Sequence, residues 1–453
     1  MFDSIDWDSA PLNRYAHGGF SYGGYPDSDS FHRAIGSLDL LRALRSSRQA
    51  QRPLSLAVRV ANRRALSHGR VDTAASASAI YLQRLEREID LIGCHLGPQQ
   101  HVEELHLAGG STLSAEQLRQ LMTHLRKRFS LLDYDSGDYA IEIEQSSTDW
   151  ATMGLLRELG FNHVSIGVPD FEANNCGTIA LQSPRQVRSL IDAARALHFR
   201  SVNIDLGYGR AWQTRVSFAR KVAAIVELQP SRVTLFDYAE PLQRYWPRRR
   251  FSIRGLSSAE DKRAMRQHGV EQLSLAGYRY IGTGLFALPE DDLAIAQENG
   301  QLRRTCQGYS RHPVCDQIGL GVSAISQVGD IYAQNSRDLA RYQRQLQMGQ
   351  LATSRGLRCG PDDNLRRALI DSLVCDFSVD IGRIEAQFGI CLRDYFAAAW
   401  PLLEQMHRDG LLVLSRQRIE VSASGRLTMG MLCKVFEHDL NPPRSSALQR
   451  PES

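Results

Sequence analysis

Residues 54–73 read LSLAVRVANRRALSHGRVDT, and their reading decides the fold. Four of the first seven residues are Leu or Val, which predicts a strand over 54–60. Thirteen residues follow that contain Gly69 but no Pro, with arginines at Arg63, Arg64 and Arg70. A helix is predicted to start near Ala74. Strand, loop and helix open a βα unit, and ligands bind beyond the carboxyl ends of such strands. The loop is therefore placed for chemistry. Yet it has no Cys, no carboxylate before Asp72 and a single His, His68.

Working outward, the same alternation continues. Further strands are predicted over 104–108, 139–143, 163–168, 202–206, 232–238 and 278–282. Apolar residues at helical spacing lie between them: Ile80, Leu82, Leu85, Ile89 and Ile92, and then Val187, Leu190, Ile191, Ala194 and Leu197. Strands alternating with helices predict an α/β fold with a parallel sheet, here an open or partial β/α barrel. Four parts are expected. Residues 1–50 form an irregular arm and 51–340 the barrel with a loop-rich extension from 285. Residues 341–440 form a mostly helical C-terminal domain, with helices over 364–375 and 392–408. Residues 441–453 are polar and Pro-rich, and are expected to be disordered. The run 411–425 reads as two short strands around a Ser-Arg-Gln turn, which makes the C-terminal domain winged-helix-like.

Composition narrows the function class. Of 453 residues 43% are hydrophobic, enough to bury a core. Lys and Arg number 54 against 50 Asp and Glu, a net charge of +4 that does not call for nucleic acid. The eight cysteines include no C-x2-C or C-x3-C pair and are too sparse for a disulfide scaffold, so most are expected to be small buried hydrophobes. The N-terminus MFDSIDWDSA lacks the cationic-then-apolar pattern of a signal peptide, and no apolar run is long enough to span a membrane. A cytoplasmic protein without a membrane span is expected.

Several stretches, in order, resemble one family. They are RPLSLAVRV (52–60), YLQRLEREI (81–89), ELHLAGGST (104–112), AIEIEQ (140–145), LGFNHVSIGVPDF (159–171), VNIDLGYG (202–209), FDYAE (236–240), QGYS (307–310) and the run 319–335. From about residue 6 to about 440 the chain is similar to the oxygen-independent coproporphyrinogen III oxidases of the radical S-adenosylmethionine (SAM) superfamily. The resemblance implies a partial (β/α)6 radical-SAM-type barrel, an N-terminal arm over the active site and a mostly helical C-terminal domain. The implied activity is oxidative decarboxylation of two propionates in porphyrin and haem biosynthesis.

The same resemblance implies three thiolates spaced C-x3-C-x2-C for a [4Fe-4S] cluster. Those positions hold Arg63, Ser67 and Arg70, with Asp72 where a fourth Cys often stands. Arginine is a cation with no lone pair to donate to iron, so no [4Fe-4S] cluster and no metal ligand are expected here. A SAM-like pocket is implied at Gly109, Gly110, Ser111, Glu142, Asp205, Ala239 and Ile325, whereas Ala57, Gly69, Pro169 and Leu181 replace polar or aromatic pocket residues. The alternative is that Glu142 and Asp205 are buried polar groups paired within the core, Asp205 with Asn203. Arg59, Arg63, Arg64 and Arg70 together offer an anion site for a carboxylate, with solvent exposure or pairing to Asp72 as the alternative. SAM and a tetrapyrrole remain candidate ligands, and a protein partner in haem metabolism a candidate partner. Three functions follow: a tetrapyrrole-binding or regulatory pseudoenzyme, an active oxidase, or a partner-binding protein on a reused scaffold.

Overall fold

A computed structural model describes residues 24–61, 74–133, 135–144, 148–168, 184–239 and 256–437, together with 5, 7, 14, 15 and 22. In chain order the strands are β1 (Leu54–Arg59), β2 (His101–Ala108), β3 (Ser130–Leu131), β4 (Asp138–Glu144), β5 (His163–Val168), β6 (Ser201–Tyr208), β7 (Arg232–Asp237), β8 (Arg279–Gly282) and β9 (Leu285–Ala287). They continue with β10 (Arg303–Thr305), β11 (Gly308–Ser310), β12 (Asp316–Gly321), β13 (Ile325–Val328), β14 (Ile331–Asn335) and β15 (Thr353–Arg358). The last are β16 (Ser378–Asp380), β17 (Leu412–Leu414) and β18 (Arg418–Val421). The fold class is α/β, as the alternation of the sequence predicts.

The chain divides into two interleaved compact units: Ser28–Ile204 with His312–Cys359, and Met1–Asp27 with Asp205–Arg311 and Gly360–Ser453. In the first unit β1 is flanked on both sides. It runs parallel to β2 and to β12, with Leu54 opposite Asp316 and Arg59 opposite Gly321. Parallel pairing continues from β2 to β4 and from β4 to β5. Beyond β12 the sheet turns antiparallel through β13, β14 and β15. Residues 316–335 therefore form three strands, not the loop-rich extension expected. β1 is a central strand, and Leu54, Leu56, Val58 and Val60 are buried. Burial on both faces explains its near-continuous apolar run.

Helices cover this sheet with apolar stripes. In Ala74–Gly93 the buried face carries Tyr81, Leu82, Leu85, Glu88, Ile89 and Ile92, while Ile80 is turned out. The helix Ala115–Arg128 starts at a Ser114 cap whose hydroxyl accepts from the Gln117 N–H at 3.2 Å, and it buries Leu118, Leu121, Met122 and Leu125. At the amino ends of the strands a charged cluster closes the sheet. Asp138 accepts from Arg200 at 2.9 Å and lies 2.9 Å from His312 Nε2 and 3.2 Å from His163 Nε2.

The second unit carries β7, β8 and β9. β8 was expected to extend the parallel series, but it pairs antiparallel with β9, which pairs antiparallel with β7. Thr283 and Gly284, both at positive φ, form the reversal. The C-terminal part contains the helix Pro361–Asp376 and the expected β17–β18 hairpin. β16 is added to it on the other side of β18. The single helix expected over 392–408 is two, Leu392–Tyr395 and Trp400–Arg408. No described helix is long and apolar enough to cross a membrane. Of seven described cysteines, all free thiols, only Cys359, Cys375 and Cys433 are buried, so the expectation for most of them fails. The tail 441–453 and residues 1–4, 6, 8–13, 16–21 and 23 of the arm lie outside the described residues, and the described part of the arm, expected to be irregular, contains the helix Ser37–Gln49.

Two glycines beside β1 have no room for a side chain. A Cβ on Gly109 (φ +73) would lie 2.5 Å from the Val60 carbonyl oxygen, and one on Gly321 (φ +105) would overlap the Arg59 carbonyl. Gly277 also has positive φ (+89) but nothing within 4 Å of a built Cβ. Gly277→Ala should cost about 1–2 kcal/mol from backbone strain alone, and Gly321→Ala about 3 kcal/mol or more. Thermal melts of the two variants check this. Equal midpoints would show that β12 can move away from β1 at little cost.

Candidate functional site

The carboxyl end of β1 is held by a closed set of buried hydrogen bonds. The Tyr81 hydroxyl donates to the Arg59 carbonyl at 2.6 Å and accepts from the Val322 N–H at 3.0 Å. Two turns along the same helix, Glu88 accepts from the Gly321 N–H (2.8 Å), the Tyr342 hydroxyl (2.7 Å) and the Asn335 side-chain amide (2.6 Å). That amide also donates to the Gly321 carbonyl at 2.9 Å. The Tyr81 and Tyr342 rings stack with centroids 5.8 Å apart. Burial pushes the Glu88 carboxyl up to about 7, against the three hydrogen bonds that pull it down.

Around this exit the first unit gathers five of the seven implied pocket residues. Gly109 ends β2 in a left-handed conformation, and Gly110–Thr112 form a single 3-10 turn closed by the Thr112 hydroxyl donating to the Gly109 carbonyl at 2.8 Å. Gly110 is buried and Ser111 half-buried. Glu142, near the end of β4, has His106 Nε2 of β2 at 3.7 Å from its Oε1. Ile325 opens β13 just beyond the β12 turn, and its carbonyl accepts from the Gln317 side chain at 3.0 Å. Arg59 completes the group. Burial lowers its pKa, and the negative charge of Glu142, the main opposing influence, favours its charged form. Ala57 is buried within β1. Arg59 is thus a half-buried cation whose charged form Glu142 favours.

Arg63, Arg64, Ser67, His68, Gly69, Arg70, Asp72, Pro169 and Leu181 lie outside the described residues. Asp205 and Ala239 belong to the second unit. Asp205 is buried within β6, and Asn203, expected as its partner, donates to the Ser165 hydroxyl at 2.9 Å. Ala239 is exposed just beyond β7, and its N–H donates to Asp237, which also accepts from Lys262 at 2.9 Å.

Sequence reasoning missed Tyr81, Glu88, His106 and Tyr342. The signal was present for two of them: Tyr81, Leu85, Glu88 and Ile92 recur at intervals of four, three and four residues, one helical face. It also missed Arg210, which follows β6 in the second unit. Its guanidinium carbon lies 4.0 Å from the centre of the Tyr238 ring and 4.8 Å from that of Trp212.

Comparison with known proteins identifies relatives across nearly the whole chain. Residues 360–428 match the HemN C-terminal domain family. The oxygen-independent coproporphyrinogen III oxidase of Pseudomonas aeruginosa is 47% identical, over 97% of this chain and 97% of that protein. The Escherichia coli enzyme of the same name is 35% identical, over 96% of this chain and 95% of its own. A solved Escherichia coli structure, described as coproporphyrinogen III oxidase (HemN), a radical SAM enzyme, superimposes with a TM-score of 0.84 at 34% identity. The match covers 92% of this chain and 97% of that one.

These relatives correct the cofactor expectation. The absence of a [4Fe-4S] cluster and the doubt about SAM rested on three positions of one loop, Arg63, Ser67 and Arg70, whose placement is not described. The fold they belong to is that of a radical SAM enzyme across 92% of the chain. Three substitutions in an undescribed loop do not outweigh that kinship. Among the described residues no three His, Cys, Asp or Glu side chains are disposed to hold a metal ion. None is therefore assigned as a cluster ligand.

The Glu88 network generates a pH dependence with a definite sign. Its folded pKa is raised from 4.5 to about 7. The folded protein therefore holds a proton that the unfolded chain has released across that interval. The Glu88 contribution to stability is full below pH 4.5 and is lost as pH rises through about 7, by up to about 3 kcal/mol. The difference in stability between wild type and Glu88→Gln should shift by that amount between pH 4.5 and 7.5, read by denaturant melts. A difference independent of pH would show that Glu88 is ionised throughout.

Proposed function

Starting from the membership of this chain in the oxygen-independent coproporphyrinogen III oxidase family, we propose that it binds a propionate-bearing tetrapyrrole without decarboxylating it, as a silent or regulatory member of porphyrin metabolism. The observation that carries the reading is Arg59, a half-buried cation at the carboxyl end of β1 whose charged form Glu142 favours; Arg63, Arg64 and Arg70 follow it in the sequence. A carboxylate gains from such cations, at about 1.5–3 kcal/mol per charge-assisted hydrogen bond.

What the described residues would do is bind and orient. The backbone turn at Gly109 and Gly110 permits close approach of a ligand to the main chain. Arg59 at the carboxyl end of β1 is a cation whose charged form the negative charge of Glu142, near the end of β4, favours. Tyr81 and Glu88 hold the strand exit so that this charge stays in register with the sheet.

A second reading, an active decarboxylase, is favoured by the 47% identity across both full chains. Coproporphyrinogen III supplied anaerobically with SAM and a reductant, alongside a coproporphyrin III titration, separates the two. Saturable binding with a shifted Soret band and no vinyl-bearing product is the expected result. Conversion of propionates to vinyls establishes the second reading, and the absence of any binding removes the first. Arg59→Ala should weaken coproporphyrin binding about tenfold or more, measured by the same titration. Unchanged affinity would take Arg59 out of the anion site.

A further inference from the structure

One carboxyl group of the second unit is enclosed without a partner. Asp371 is half-buried on the helix Pro361–Asp376, where Arg367, Asp371 and Cys375 recur at four-residue spacing and share one face. The hairpin β10–β11 is fastened to the last turns of this helix, because the Tyr309 hydroxyl donates to the Val374 carbonyl at 3.0 Å. Arg304 of β10 lies on Tyr309, its guanidinium carbon 4.8 Å from the ring centre, and donates to the Tyr22 carbonyl at 3.4 Å. Its Nε is buried and has no hydrogen-bond partner among the described residues.

Enclosure pushes the Asp371 carboxyl up to about 6, and the charges of Arg367, Arg304 and Arg303 hold it from rising further. At neutral pH it is therefore an anion, which accepts hydrogen bonds and donates none. Among the described residues nothing hydrogen-bonds or ion-pairs with it, and the arginines act on it through space. Glu88, also enclosed, is by contrast met by three donors. An enclosed carboxylate without a donor costs stability, so the fold gains nothing from Asp371. Its chemistry calls for a donor brought by a ligand.

The surroundings narrow that donor. A positive field opposes an incoming cation, so an ammonium group is disfavoured and a neutral N–H is admitted. One acceptor amid guanidinium groups matches a ligand with N–H donors at its centre and carboxylates round its rim. A porphyrinogen has this pattern. Its bridging carbons are saturated, so its pyrrole N–H groups can turn together to one face. The oxidised porphyrin is planar and keeps its N–H groups inside the ring.

We propose that Asp371 is the acceptor that recognises the pyrrole N–H groups of a porphyrinogen, and so selects the reduced macrocycle over the oxidised one. The assignment rests on the tetrapyrrole reading above, and it adds a recognition residue separate from Arg59. SAM also carries N–H donors, on its ammonium group, so the source of the donor must be resolved.

Coproporphyrinogen III, coproporphyrin III and SAM should each be titrated anaerobically by calorimetry against wild type, Asp371→Ala and Asp371→Asn. The expected result is a loss of coproporphyrinogen III affinity of about tenfold or more in Asp371→Ala, and a smaller loss in Asp371→Asn, which keeps an acceptor oxygen without the charge. Affinities for coproporphyrin III and SAM should not change. Without ligand both variants should melt at or above the wild-type midpoint, since no partner is lost. A lowered midpoint in both variants shows that the carboxyl serves the fold, and overturns the proposal. Unchanged coproporphyrinogen III affinity overturns it while leaving the tetrapyrrole reading intact. Equal losses for porphyrinogen and porphyrin, a loss confined to SAM, or a wild type that binds only the porphyrin each overturn the N–H assignment. Absence of tetrapyrrole binding in wild type overturns the tetrapyrrole reading and this assignment with it.

Discussion

The Arg59 carbonyl is the point on which the first unit turns. It takes a hydrogen bond from Tyr81, and it crowds Gly321 so tightly that no side chain fits there. On the other flank the Val60 carbonyl does the same to Gly109. The strand can therefore end in only one place relative to its neighbours. Glu88 makes this rigid, because a fully buried carboxyl group with three donors cannot shift without leaving a polar group unsatisfied, at a cost of about 1–3 kcal/mol. Whatever the loop at 62–73 does, it begins from a fixed origin.

The second unit reaches similar rigidity with different material. There Gly207, the Tyr238 ring and the Arg210 guanidinium come together, and dispersion and the ring quadrupole are among the fixing interactions. Both constructions sit at carboxyl ends of strands, and both present arginine.

The strands of the barrel were legible because each carries buried Val, Leu, Ile or Tyr residues in a short run or at every second position, as in LSLAVR of β1 and DYAIEIE of β4. β8 was legible as a strand but not in direction, since a hydrophobic run carries none; the reversal at Thr283 and Gly284 decides it. β12 to β14 were read as loop because their buried faces include Gln317, Ser326, Gln334 and Asn335. Those residues satisfy one another and the backbone: the Gly319 N–H donates to Ser326, Gln334 to the Ser323 carbonyl, Asn335 to Glu88. Such internal pairing leaves no hydrophobic alternation in the sequence. Glycines and acids of the implied pocket were found through family resemblance. Tyr81 and Glu88 were not, because a polar residue on an apolar helix face looks like a solvated one until its partners, more than 230 residues away, are known.

The placement of β12 beside β1 has a consequence for synthesis. Arg52 and Asp316 are ion-paired at 2.6 Å although 264 residues separate them along the chain. At translation rates of about 5–20 residues per second, β1 leaves the ribosome tens of seconds before this neighbour exists. Throughout that time its Leu- and Val-rich edge carries unpaired N–H and C=O groups, an invitation to pair with another nascent chain. The central strand of the finished sheet is thus an open edge during its own biosynthesis.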